Sequence, residues 1–97
     1  MYIVASKWQP LPGKEADFEQ SGRAVRAVLK SQPECTLLEG FKTDEGHVVA
    51  IHGYVNQGAY EKIVKDPNGP FMQAVQQHRL EDAGKWVWSE RGEAMTD

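Results

Sequence analysis

The stretch VVAIHGYVNQGAYEKIVKDPNGPF, residues 48–71, changes its periodicity twice. Over HVVAIHGYV, 47–55, apolar and β-branched residues fill most places, which predicts a strand. Asn56 follows, and its short side chain suits the cap of a new helix. Ala59, Tyr60, Ile63 and Val64 then recur at helical spacing, so a helix begins near Gln57. DPNGPF, 66–71, breaks it, because two prolines and a glycine in six residues cannot continue a helix. Pro70 starts a second helical piece, with Asn68 or Gly69 as its cap. Its missing N–H would be unsatisfied at that position anyway. Phe71, Ala74, Val75 and His78 carry the apolar spacing onward.

Upstream, the hairpin partner is CTLLEGFKT, 35–43, joined to 47–55 through the tight turn TDEG, 43–46. Before it, Phe18, Gly22, Val25, Val28 and Leu29 mark one face of a helix that starts at Lys14 and ends at SQPE, 31–34. Acids load its first turns and bases its later ones, the order that the helix dipole favours. YIVASKW, 2–8, is a first strand closed by the turn cluster QPLPG. EDAGK turns the chain before a last strand, WVWSE, 86–90. The order β-α-β-β-α-β predicts an α+β, ferredoxin-like fold, a four-stranded antiparallel sheet with two helices on one face. One domain covers 1–97, with 92–97 as a loose tail.

Composition narrows the function classes. Eleven basic against fourteen acidic residues give a net charge of −3, a poor match to nucleic acid, whose binding rests on phosphate neutralisation. No apolar run approaches the ~20 residues of a membrane span, and the N-terminus lacks the pattern of a signal peptide. Cys35 is the single cysteine, so no internal disulfide is possible and a cytoplasmic location is the simplest expectation. No nucleotide-binding glycine pattern or nucleophilic triad is present. The histidines do not have metal-ligand spacing: His47 and His52, five apart on one strand, point to opposite faces.

Strand alternation makes both sheet faces apolar. Tyr2, Val4 and Trp8 oppose Ile3 and Ala5. Val48, Ala50 and Tyr54 oppose Val49, Ile51 and Val55. Trp86 and Trp88 oppose Val87. Two helices cover only one face, so the other needs a cover: a second copy of the chain, as a homodimer with two-fold symmetry, is the economical one, and a ligand or partner protein is the alternative. The candidate catalytic residues are His52, Tyr54 and His78. His52 shares a face with Val48, Ala50 and Tyr54. It is either an acid–base group or hydrogen-bond donor facing a cavity, or a satisfied core or interface histidine. His78 ends the apolar face of the last helix and is either functional or a C-terminal cap. Trp8, Trp86 and Trp88 either stack on a planar substrate or fill a core.

The segment 48–71 carries a resemblance. An apolar strand ending in an aromatic (Tyr54), a short polar turn, a helix with Ala59 and Tyr60, and a proline break before Phe71 are together similar to the antibiotic-biosynthesis-monooxygenase-like domains of the dimeric α+β barrel group. The resemblance implies cofactor-independent oxygenation of an aromatic or quinol-type small molecule, with no metal, no flavin and a dimeric barrel. It also implies a pocket between helix and sheet walled by Trp8, Ile63, Phe71, Val75, Trp86 and Trp88. The DPNGPF break would then be a lip or lid of that pocket, or else a mere redirection of the chain. Where the family often has His or Trp, this chain has Ile63. The haem-degrading branch places its axial histidine four residues after the Phe, where Val75 stands; His78 comes one helical turn later. That branch also uses an Asn in strand 1, where Lys7 and Trp8 stand. Haem degradation does not fit. A non-catalytic dimer that binds an apolar ligand, or a stress-related accessory protein, is the alternative.

Overall fold

Four antiparallel strands in the order β2-β3-β1-β4 form the floor of the molecule. The computed structural model describes residues 1–95. Strand β1 spans Tyr2–Pro10, β2 Cys35–Lys42, β3 Val48–Tyr54 and β4 Gly84–Glu93. Helix α1, Glu15–Lys30, buries Phe18, Val25 and Leu29 against the sheet, the face given by its apolar spacing. The β2–β3 turn closes with Gly46 N–H donating to Thr43 O at 2.9 Å, and Gly46 takes φ +88, where a side chain would be strained.

The second helical layer comes in pieces. Helix α2, Gln57–Tyr60, is capped by Asn56, whose side chain accepts from the Ala59 N–H at 2.8 Å. It continues as a π turn, Glu61–Lys65, which buries Ile63. The DPNG break follows, then α3, Pro70–Gln77, and a short α4, Leu80–Ala83. In the break, Asp66 Oδ1 accepts from Asn68 N–H at 2.9 Å, and Gly69 N–H donates to Asp66 O at 2.9 Å. Gly69 caps α3 and Pro70 opens it. The turn is so tight that a Cβ on Gly69 would lie 2.6 Å from the Lys62 carbonyl oxygen.

Two expectations for β4 are corrected. The strand runs well past 86–90: Gly92 and Glu93 pair with Ile3 and Tyr2, and Ala94 N–H donates to Met1 O at 2.8 Å. Of the expected loose tail, only 96–97 lie outside the described residues. Second, a β-bulge interrupts the β1–β4 ladder. Lys7 faces Trp88 but Trp8 faces Trp86, so Val87 is the extra residue. The bulge places Trp86 and Trp88 on opposite faces of the sheet instead of one.

The helix-side face carries Tyr2, Val4, Ser6 and Trp8 of β1 and, opposite them, Tyr54, His52, Ala50 and Val48 of β3. The core there is split in two. One cluster gathers Tyr2, Val4, Leu29, Tyr54, Ala59, Tyr60 and Ile63; the other gathers Phe18, Val25, Ala74, Val75, Leu80 and Ala83. Phe71 packs against both. No helix among the described residues covers the opposite face. By register it presents Ile3, Ala5, Ile51, Phe41 and Trp88, with Lys7, Glu39 and Glu90 among them. It is therefore more mixed than the alternation of β1 and β3 suggested.

Candidate functional site

A cavity of about 800 Å³ opens between the sheet and the helices where the core divides. Its floor is the helix-side face of the sheet, and its walls come from α1 and α3. Strand pairing sets the floor in rows, because directly opposed residues point the same way. One row reads Leu38, His52, Val4, Arg91 across β2, β3, β1 and β4. The next reads Gly40, Ala50, Ser6, Ser89.

His52 is the buried polar residue of the first row, only 4% exposed. Its Nδ1 lies 2.7 Å from Tyr54 Oη, and Phe71 stacks on its ring at 6.4 Å between centroids. Tyr54 is fully buried, and its hydroxyl has no other partner among the described residues. If Nδ1 carried the proton, the Tyr54 hydroxyl hydrogen would be buried without an acceptor, which is costly. The Tyr54 O–H therefore donates to Nδ1, and the neutral ring keeps its proton on Nε2. No other hydrogen bond among the described residues holds the ring, so that N–H is free to serve the cavity. Burial pulls the imidazole down to about 4, so His52 stays neutral at physiological pH. Burial also pushes the Tyr54 phenol well above its ordinary value, with Cys35 and Tyr60 adding to the effect. The pair thus offers a fixed neutral donor and no ready base.

A second polar group stands on the β4 side. Ser6 Oγ and Ser89 Oγ are 2.6 Å apart, and Trp86 Nε1 donates to Ser89 Oγ at 2.9 Å. Arg91 lines the cavity beyond them, its guanidinium 5.9 Å from the centre of the Tyr60 ring. Arg91 makes no ion pair among the described residues.

Of the residues singled out in the sequence, the structure brings His52, Trp8, Phe71, Val75 and Trp86 to this cavity. Tyr54 stands behind His52 and supports it without lining the space. Ile63 is core, 1% exposed. Trp88 is turned to the open face by the bulge. His78 lies elsewhere: it caps the end of α3 and borders a separate polar recess with Lys14, Asp17 and Arg79. Its backbone carbonyl accepts from Ser21 Oγ at 2.8 Å. Of the break DPNGPF, only Phe71 reaches the wall. Sequence reasoning missed Ser6, Ser89 and Arg91. The parity of β1 could have found Ser6; the other two depend on the bulge. No three histidine, cysteine or acidic side chains gather as a metal site among the described residues. No helix there is long and apolar enough to cross a membrane.

The sheet order, split core and layered cavity define a ferredoxin-like α+β domain with room for a small molecule between its layers. The fold is shared with solved structures of antibiotic biosynthesis monooxygenases. Rv0793 from Mycobacterium tuberculosis superposes with a TM-score of 0.80 at 11% identity, over 99% of this chain and 96% of that one. SnoaB from Streptomyces nogalater, a cofactor-independent oxygenase, gives 0.76 at 14% identity, over 99% and 95% of the two chains. A Deinococcus radiodurans protein assigned to the antibiotic biosynthesis monooxygenases gives 0.77 at 16%, over 100% and 95%. At these identities the likeness establishes the fold. The sequence itself matches no family model and no curated protein.

Proposed function

We propose that the chain is a small oxygenase that acts on a phenolic or quinol-type ring in the cavity between sheet and helices. One observation carries the reading: a buried, neutral histidine lies on the cavity floor with its Nε2–H uncommitted and its tautomer held by Tyr54. An electron-rich phenolate can react with oxygen without a cofactor. For α-naphthol, the ring carbon para to the hydroxyl takes one oxygen atom. The C–H and C–OH both become C=O, and the second oxygen atom leaves as water with the two hydrogens. The substrate supplies all the electrons.

The protein's part is electrostatic. The His52 N–H donates to the substrate oxygen, and this favours the anion once its proton has passed to water at the open side of the cavity. Arg91, one row position beyond Val4, adds positive charge on the same floor. Trp8, Phe71 and Val75 supply apolar walls for the ring. The fold shared with SnoaB supports this chemistry as a class. The assembly in this reading is a homodimer through the open sheet face, in the cytoplasm.

Oxygen uptake with α-naphthol, corrected for uncatalysed oxidation, tests the reading. The wild-type protein is expected to consume one oxygen per naphthoquinone formed, and His52→Ala to lose about a hundredfold in rate. Saturable binding of α-naphthol with no uptake above background would replace the oxygenase by a non-catalytic ligand carrier.

A further inference from the structure

The hydroxyl pair of β1 and β4 has one hydrogen more than it uses. Ser6, Ser89 and Trp86 bring three donor hydrogens, two O–H and one N–H. Two hydrogen bonds join them, Trp86 Nε1 to Ser89 Oγ and the bond between the two hydroxyls. Whichever serine donates to the other, one O–H is left over. Neither hydroxyl has a further partner among the described residues, and both serines line the cavity. The indole N–H occupies one lone pair of Ser89 and holds that hydroxyl in place, while either serine can be the one that keeps its hydrogen. A hydrogen-bond donor is thus built into the floor without a protein acceptor.

Its position relative to His52 is set by the ladder. Val4 pairs with His52 and Ser6 pairs with Ala50, so Ser6 and His52 are diagonal neighbours on one face. Such Cβ atoms lie about 7 Å apart. The other two corners of the diamond are Val4 and Ala50, both small and apolar. A flat six-membered ring resting on those two corners would have one edge at the imidazole N–H and the opposite edge at the serine hydroxyls.

We infer that Ser6 and Ser89, oriented by Trp86, form a second oxygen-binding station, which holds the substituent para to the oxygen bound by His52. The ligand class is a planar ring with oxygens on opposite edges, a para-quinol or para-quinone. The inference rests on the reading of the cavity as a phenol site and adds its regiochemistry: the serine hydroxyl meets the carbon that receives oxygen. Ser6 and Ser89 are specificity-determining residues, and Trp86 is a positioning residue.

Anaerobic titration of the full chain with naphthohydroquinone and with α-naphthol, followed by tryptophan fluorescence, separates one oxygen from two. The wild type is expected to bind naphthohydroquinone about fivefold more tightly, the worth of one net hydrogen bond. The double variant Ser6→Ala, Ser89→Ala should bring the affinity ratio to one while α-naphthol binding is unchanged. Trp86→Phe should lower the ratio partway. A general loss of fold would weaken both ligands alike, so the ratio reports the station itself. A wild-type ratio near one, absence of binding by both ligands, or a ratio that survives the double substitution overturns the inference. Failure of oxygen uptake with the ratio intact removes the oxygenase reading alone; uptake with an unaffected ratio removes the station alone.

Discussion

At the scale of single residues, His52 concentrates the physics of the site. It is a titratable group placed where its charged form has no partner. Lys42 and Arg91 line the same cavity, and Glu15, Glu19 and Glu81 stand at its walls, but the hydrogen bond to His52 comes from the neutral Tyr54 hydroxyl. The consequence for stability has a definite sign. The folded imidazole titrates near 4, below the 6.5 of the unfolded chain. As pH falls through 6.5 the unfolded state takes the proton first, so stability is lost between 6.5 and 4 and levels off below. The full difference corresponds to about 3 kcal/mol. Urea unfolding of the wild type and His52→Gln across that range checks it. The stability gap between the two proteins should narrow by about 3 kcal/mol from pH 7 to pH 4. A gap independent of pH would mean that His52 is far better solvated than its burial implies.

At the scale of elements, the DPNG break and the β4 bulge decide what reaches the cavity. The break turns the chain on the carbonyl oxygens of Lys62, Ile63 and Asp66, which converge on Gly69. It also delivers Phe71 to the seam between the two core clusters. A methyl group at Gly69 must push backbone apart, so Gly69→Ala should destabilise the protein by about 2 kcal/mol, as overpacking does. Chemical denaturation measures this, and a loss within about 0.5 kcal/mol would show that the break relaxes freely. The same two elements mark the limit of legibility. The break, the Asn56 cap and the Pro70 start were legible because proline and asparagine act locally, through a fixed φ and a short side-chain acceptor. The faces of β1 and β3 followed from alternation alone. The bulge at Val87 was not legible, since it arises from the register of two strands about eighty residues apart. It reversed Trp88 and brought Ser89 and Arg91 to the cavity floor. The π turn was equally hidden, because the spacing of Ala59, Tyr60, Ile63 and Val64 is that of an ordinary helix. His78 shows the same limit in a helix: spacing placed it on the apolar face, yet α3 ends there and the residue borders the polar recess beside Arg79.

At the scale of the whole molecule, the proposed homodimer can be weighed against the shape of one chain. The chain measures 41 × 30 × 18 Å, a slab one sheet and one helix layer thick. It exposes 6335 Å², whereas a monomer of its 10.9 kDa mass ordinarily exposes about 5,600 Å². The excess, roughly 700 Å², is close to one partner's share of a standard interface. On the sheet face without helices, Phe41 is 55% and Trp88 41% exposed. Two such faces would stack about 10 Å apart and enclose Ile3, Ala5 and Ile51. The acids on that face define the test. Glu39, Ile51, Ala5 and Glu90 form one row across β2, β3, β1 and β4. Ile51→Glu places a third carboxylate between the two existing ones, in the middle of the contact. Sedimentation equilibrium at micromolar concentration should find the wild type as a dimer. Ile51→Glu should weaken the association at least a hundredfold, about 2.7 kcal/mol, because a buried unpaired charge is costly. The circular dichroism of the variant should keep its folded signature, since Ile51 is only partly buried within one subunit. A wild-type protein that sediments as a monomer at these concentrations would mean that the lysine and glutamates keep this sheet face solvated, and that the cavity works within a single chain.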